Sequence, residues 1–254
     1  MRSGDAVLTV DATAGGRISS LCFGDTELLW NSDSESEPVA YGLYPMVPFA
    51  GRIRAGRFTF DGVAYSLPLN AAPHAMHGYG FSSPWTIVDE EAIAWDFAAP
   101  WPFAGRATQR FKLSNSELTI EMAVEAIDRQ PIMVGWHPWF RRTNEAGILE
   151  VDFSAASMFQ RDEDGLPGEL VSPPPPGPWD DCFVGVANNP VARWGQLSVA
   201  LSSSLDHWVV FDELDHAVCV EPQSGPPNEI ESEPRILEAG ETFTASFTLS
   251  RIDA

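Results

Sequence analysis

Apolar and polar positions alternate with a period of two over much of this chain. The clearest stretch is 118–124, where Leu118, Ile120, Met122 and Val124 are apolar and polar or small residues stand between them. Such alternation puts one face on a core and the other in water, which predicts strands. Short runs rich in β-branched and aromatic residues, bounded by Gly, Asp or Pro, predict further strands at 6–10, 17–23, 57–60, 63–67, 110–113, 148–153, 197–201, 208–211, 217–221 and 243–249. Asp61-Gly62 between two of these is a two-residue hairpin signal, because Gly accepts the positive φ of a type I′ turn. Residues 114–117 form another turn. No window of ten or more residues carries an apolar stripe of helical period.

Strands from end to end, with turns between them and no internal repeat, predict an all-β chain folded as a large antiparallel sandwich or barrel. Two excursions interrupt the pattern: an acidic surface loop at 32–38 and a stiff polyproline-like connection at 173–178. Neither is long enough to separate domains, so residues 1–254 read as a single domain.

Charge narrows the partners. The chain holds 36 acidic against 15 basic residues, a net charge of −21. Nucleic acid and anionic membranes are bound through Lys and Arg, so neither is an expected partner. A strongly anionic substrate would need a local arginine cluster. The acidity itself fits solubility or an acidic host proteome as well as any role in function. Cys22, Cys182 and Cys219 are odd in number and lack CxxC spacing, as reduced thiols in a cytoplasmic protein would be. No apolar run nears the roughly 18 residues of a membrane span, and the N-terminus has no signal-peptide core. A soluble cytoplasmic protein, monomeric or weakly dimeric, is expected.

A few side chains stand out as chemistry. His137, in Gly-Trp-His-Pro-Trp-Phe, would share a strand face with Trp139 while Trp136 and Phe140 take the other. An imidazole beside an indole makes a floor for a sugar, whose C–H faces pack on aromatic rings. Glu221 closes an apolar run and precedes Pro222; a buried glutamate implies an open site, a cationic neighbour or a raised pKa. His77 lies three residues after His74, but no third ligand follows at metal-site spacing, so no metal is expected. Gly78 and Gly80 would let backbone approach a ligand there. Arg52, Arg54 and Arg57 concentrate positive charge, and Asp180 and Asp181 offer acceptors. Each also has a plain structural reading as a core histidine, a strand-end carboxylate or a surface ion pair.

Their order along the chain is more specific. Pro48-Phe-Ala-Gly-Arg-Ile53, His77-Gly78, His137-Pro-Trp-Phe140, Trp179-Asp-Asp-Cys-Phe183 and Glu221-Pro-Gln-Ser-Gly-Pro-Pro-Asn228 together resemble the aldose 1-epimerase (mutarotase) family. The resemblance implies the galactose mutarotase-like supersandwich, a sugar-binding cleft on its concave face, and no metal or organic cofactor. It makes Glu221 the general base and His137 the general acid, expected on opposite sides of one pyranose-sized hollow, with Arg52, His77 and Asp180 holding the sugar. Asp180 is preferred to Asp181 by matching Trp179-Asp180 to an aromatic–Asp pair. Gly51 stands where well-studied galactose mutarotases have Asn, so a galactose preference does not carry over. The chemistry implied is interconversion of α and β anomers by ring opening and reclosure, with the acidic surroundings raising the His137 pKa. Two other readings remain open at this point. One is a hexose-6-phosphate mutarotase clamping phosphate through Arg54, Arg57, Arg141 or Arg142; the other is a non-catalytic sugar-binding protein of the same fold.

Overall fold

The period-two segments pair with one another. In the computed structural model, which describes residues 1–31 and 37–252, Gly105–Leu113 and Glu117–Ala126 form a hairpin registered from Leu113–Leu118 to Gly105–Ala126. Thr242–Ile252 lies along the far side of Glu117–Ala126, so each buried apolar residue meets another across the ladder, Ile120 opposite Phe247 and Leu118 opposite Leu249. Most of the acidic loop expected at 32–38 lies outside the described residues. The predicted type I′ hairpin is present: Phe60 pairs with Val63, and Asp61 and Gly62 have φ of 50° and 76°.

Two large antiparallel sheets result. One has nine strands among the described residues and is built around the hairpin of Gly105–Leu113 and Glu117–Ala126. The other has eleven, and its middle runs Leu43–Met46, Gly135–Arg141, Ala217–Gln223, His207–Phe211, Asp180–Val184. The sheets pack through aromatic side chains. Trp136 and Trp208 of the larger sheet lie 6.0 and 6.3 Å from the ring of Phe247 in the smaller, and Phe140 lies 6.0 Å from Trp194. Trp136, Phe140 and Phe247 are fully buried, and truncating such a side chain typically costs about 3–5 kcal/mol. Because alternate residues of a strand face opposite ways, Trp136 and Phe140 in the core force His137 and Trp139 outward.

The strands run longer than the sequence pattern suggested. Ala217–Gln223 continues through Pro222, where an end at Glu221 was expected. A proline removes a ladder hydrogen bond and is rare in a central strand. Here the neighbouring strand carries a proline too. Gly135 pairs with Gln223 and Trp139 with Cys219; Pro138 and Pro222, with no N–H to give, fall in the gap between these pairs. That gap holds the two residues singled out for catalysis. An α-helical turn, Glu229–Ser232, follows the loop after Ala217–Gln223.

Candidate active site

Antiparallel register fixes the central pair. The partner numbers of Gly135–Gln223 and Trp139–Cys219 have the same sum, which places His137 directly opposite Glu221. The imidazole Nε2 lies 3.1 Å from Glu221 Oε1, and both residues are almost fully buried, at 5% and 2% exposure. Sequence reasoning expected them on opposite sides of a hollow; they are instead cross-strand neighbours in contact. The same row continues through Tyr44, opposite His137, and Val209, opposite Glu221.

Aromatic rings clamp the imidazole. Tyr44 stacks on one side at 4.8 Å and Trp139 on the other at 5.2 Å. Tyr44 in turn lies under the guanidinium of Arg17, which is 1% exposed and donates to the carbonyls of Ala14, Tyr41 and Phe81. The clamp restricts His137 to one orientation, with Nε2 toward the carboxylate.

Burial sets the protonation. It pushes Glu221 well above the usual carboxylate range, with the charge of Asp180 adding to the effect and a hydrogen bond from Gln223 opposing it. It also holds His137 well below an ordinary histidine, with His77 and Arg52 pushing the same way. This corrects the expectation of a raised His137 pKa, because desolvation outweighs the acidic envelope. The pair therefore favours the form without net charge, with its one mobile proton between Oε1 and Nε2.

A cavity of about 200 Å³ opens over the pair. Arg52, His77 and Asp180 also line it, so all five residues marked out in the sequence come together. Arg52 sits in the short strand Arg52–Ile53 and donates from Nη2 to Asp180 Oδ2 at 3.2 Å. Asp180 is paired with Phe211 and lines the cavity, whereas Asp181 does not line it, so the geometry favours Asp180. Arg161, which no sequence signal marked, binds both carboxylates at 3.3 and 3.2 Å.

His77 is 7% exposed and stands edge-on to His137, ring centres 5.1 Å apart. Its backbone has φ of 59°, held by a hydrogen bond from its N–H to Gly51 O at 2.8 Å. Burial, with help from Arg52, pushes its pKa down to about 3. The glycines beside it do another job than expected: a Cβ on Gly78 or Gly80 would strike Val47, so they seat this loop on its own chain rather than on a ligand. His74 is structural, with Nδ1 accepting from Ala55 N–H and Nε2 donating to Asp164 O at 2.9 Å. A compact donor set does exist, since His137, Cys219 and Glu221 offer ligand atoms within 4.8 Å of one another. Burial raises the Cys219 thiol far above its usual range and so disfavours the thiolate that a metal needs.

Gly51 has φ of 66°, and a Cβ there would lie 2.7 Å from Pro227. The residue standing in place of Asn is thus coupled to the proline-rich loop after Glu221. Gly51→Ala should lose about 1–3 kcal/mol of stability, read from urea unfolding. An unchanged unfolding midpoint would show that the loop yields freely.

Gln223 carries no predicted role in the sequence pattern. It lines the cavity at 1% exposure and donates from Nε2 to Glu221 Oε2 at 3.1 Å. Its spacing of two from Glu221 on one strand was the signal available.

The fold and site together define a β-sandwich protein with an open cleft around a buried carboxyl–imidazole pair. The family model described as Aldose 1-epimerase matches residues 2–250, and the chain belongs to that family. It is 27% identical over 164 residues to the Escherichia coli K12 protein YphB, itself uncharacterised, covering 61% of this chain and 55% of that one. It is also 27% identical over 137 residues to rat galactose mutarotase, covering 49% and 40% respectively. The matches thus span about half the length of these relatives or less. The crystal structure of a putative aldose 1-epimerase from E. coli K12 superposes over 100% of this chain and 98% of its own, with TM-score 0.87 and 21% identity. The expected galactose mutarotase-like supersandwich is therefore the fold of this chain. Among the described residues no helix is long and apolar enough to cross a membrane.

Proposed function

We propose that this protein interconverts the α and β anomers of an uncharged aldose. One observation carries the reading: a base and an acid, 3.1 Å apart at the floor of a small cavity. Anomerisation exchanges protons at two oxygens bonded to one carbon, the C1 hydroxyl and the ring oxygen. Two proton-transfer atoms in contact suit two such adjacent oxygens.

In the charge-separated form, the Glu221 carboxylate takes the hydroxyl proton as O1 forms a double bond to C1. The C1–O5 bond breaks and O5 takes the proton on His137 Nε2. The pair is left as neutral glutamic acid and neutral imidazole, the form that burial favours. Rotation about C1–C2 offers the other carbonyl face, and the reverse transfers reclose the ring. Across the cavity, Arg52 and His77 are placed to donate to hydroxyls and Asp180 to accept from them.

The cavity is smaller than the roughly 300–1,000 Å³ of typical small-molecule sites, which supports a single sugar ring. Three of the four arginines of a phosphate clamp are engaged elsewhere, and the fourth, Arg57, does not line the cavity. Arg54 is bonded to Asp162 and Asp164, Arg141 to Leu29 O, and Arg142 to Leu214 O and Asp212 O. The cavity's own cation, Arg52, is paired with Asp180. This favours a neutral sugar over a sugar 6-phosphate. The cysteines are free thiols, which supports a cytoplasmic setting.

Polarimetry of freshly dissolved anomers tests the reading directly. Relaxation of at least one neutral aldose should accelerate in proportion to protein concentration, with little acceleration of glucose 6-phosphate. If no sugar in a panel of hexoses and pentoses relaxes faster than in buffer, the proposal is wrong.

A further inference from the structure

The amide of Gln223 is half used. Its Nε2 holds Glu221 Oε2, while its Oε1 is buried in the wall of the cavity with no hydrogen-bond partner among the described residues. A buried carbonyl left unpaired is costly, so such an atom marks where a donor belongs. Room for this side chain is made by the opposite strand: a Cβ on Gly135 would come within 3.1 Å of Gln223 Cγ.

The two oxygens of Glu221 are thereby divided, Oε1 facing His137 and Oε2 facing Gln223. An aldose with its C1 hydroxyl on Glu221 and its ring oxygen on His137 turns C2 away from His137. That is the side of the carboxylate on which Gln223 lies, and the first donor there is the C2 hydroxyl. We propose that Gln223 positions Glu221 through its N–H and reads the 2-hydroxyl of the sugar through its carbonyl. The substrate class is then aldoses that keep a hydroxyl at C2. This rests on the anomerisation reading above and makes Gln223 a specificity-determining residue within it.

The experiment compares an aldose that the wild type anomerises with its 2-deoxy counterpart, such as glucose with 2-deoxyglucose. It is run on the wild type, Gln223→Met, which keeps the volume without polar atoms, and Gln223→Asn, one methylene shorter. Wild-type kcat/KM should favour the 2-hydroxy sugar by roughly tenfold, the weight of about one hydrogen bond. In Gln223→Met that ratio should fall close to one, chiefly through loss on the 2-hydroxy sugar. The alkaline limb of its pH profile should move up, because the N–H that favours the Glu221 carboxylate is gone. A merely structural role would lower both sugars alike and leave the limb in place. Equal wild-type rates on the two sugars overturn the proposal without any variant, as does an unchanged ratio in either folded variant. Absence of wild-type anomerisation on every sugar overturns the underlying reading, and this one with it.

Discussion

Glu221→Gln should lower the anomerisation rate constant by about 10²–10⁴-fold, the usual weight of one positioned base or acid. Glutamine is nearly isosteric and can still meet both His137 and Gln223, so the cavity should persist and KM should change only a few-fold. What disappears is the atom that accepts and returns a proton. His137→Asn should fall by a similar factor. Because the two residues trade a single proton, the double variant should be little worse than either single one, as with catalytic groups that act as a unit. Polarimetry or NMR of the anomeric signals measures all three. A double variant that loses the product of the two single factors would mean independent groups, and Glu221→Gln within tenfold of wild type would remove the carboxylate from the chemistry.

The same pair sets the sign of the pH profile. The active state holds one mobile proton between Glu221 and His137. Adding a second means charging His137, which burial holds well below an ordinary histidine, so the acid limb lies at lower pH than a free imidazole would give. Removing the remaining proton means ionising Glu221, which burial and Asp180 hold well above an ordinary carboxylate. The limbs belong to the pair rather than to either residue.

Much of this arrangement was legible in the sequence because strands impose a simple rule. Alternation in Gly-Trp-His-Pro-Trp-Phe put Trp136 and Phe140 in the core and His137 with Trp139 outside, as the sheet packing has it. The ordered motifs brought Arg52, His77, Asp180 and Glu221 to the same cavity. Register was not legible. Whether 137 faces 221 or is offset from it depends on which strands lie side by side, and that is decided by contacts far apart in the chain. Hence the pair was expected across a hollow rather than in contact. Desolvation was hidden for the same reason, since net charge −21 suggests a raised histidine pKa while full burial dictates the reverse. Arg161 escaped notice because its role depends on Ser157–Arg161 lying beside Asp180–Val184, a pairing without local signature. Pro222 misled in another way: it looked like a strand end, yet it lies, like Pro138 on the neighbouring strand, in a gap between ladder pairs.

His77 should make the protein acid-labile, and His77→Asn should remove most of that sensitivity. In the unfolded chain an ordinary histidine takes its proton near 6.5, whereas in the folded protein His77 does so only at about 3. Between those values the unfolded state binds more protons, so stability is full above 6.5 and falls as pH drops toward 3. The slope from this one residue approaches about 1.4 kcal/mol per pH unit. From pH 7 to 4.5 the loss comes to roughly 2.5 kcal/mol, a large share of the ~5–15 kcal/mol that holds a typical domain folded. Asparagine is the replacement of choice because it tolerates positive φ better than other side chains, and His77 has φ of 59°. Carboxylates and the histidines away from the cavity titrate in both proteins and cancel in the comparison. Urea unfolding at pH 7 and pH 4.5 on wild type and His77→Asn measures the difference. His77→Asn should be less stable than wild type at neutral pH, where it loses packing against His137, and should close the gap or cross over at pH 4.5. Parallel losses in the two proteins would mean that His77 takes up its proton in the folded state as easily as in the unfolded one. The imidazole edge-on to His137 would then be reached by solvent, and the cavity floor would be wetter than its 7% exposure implies.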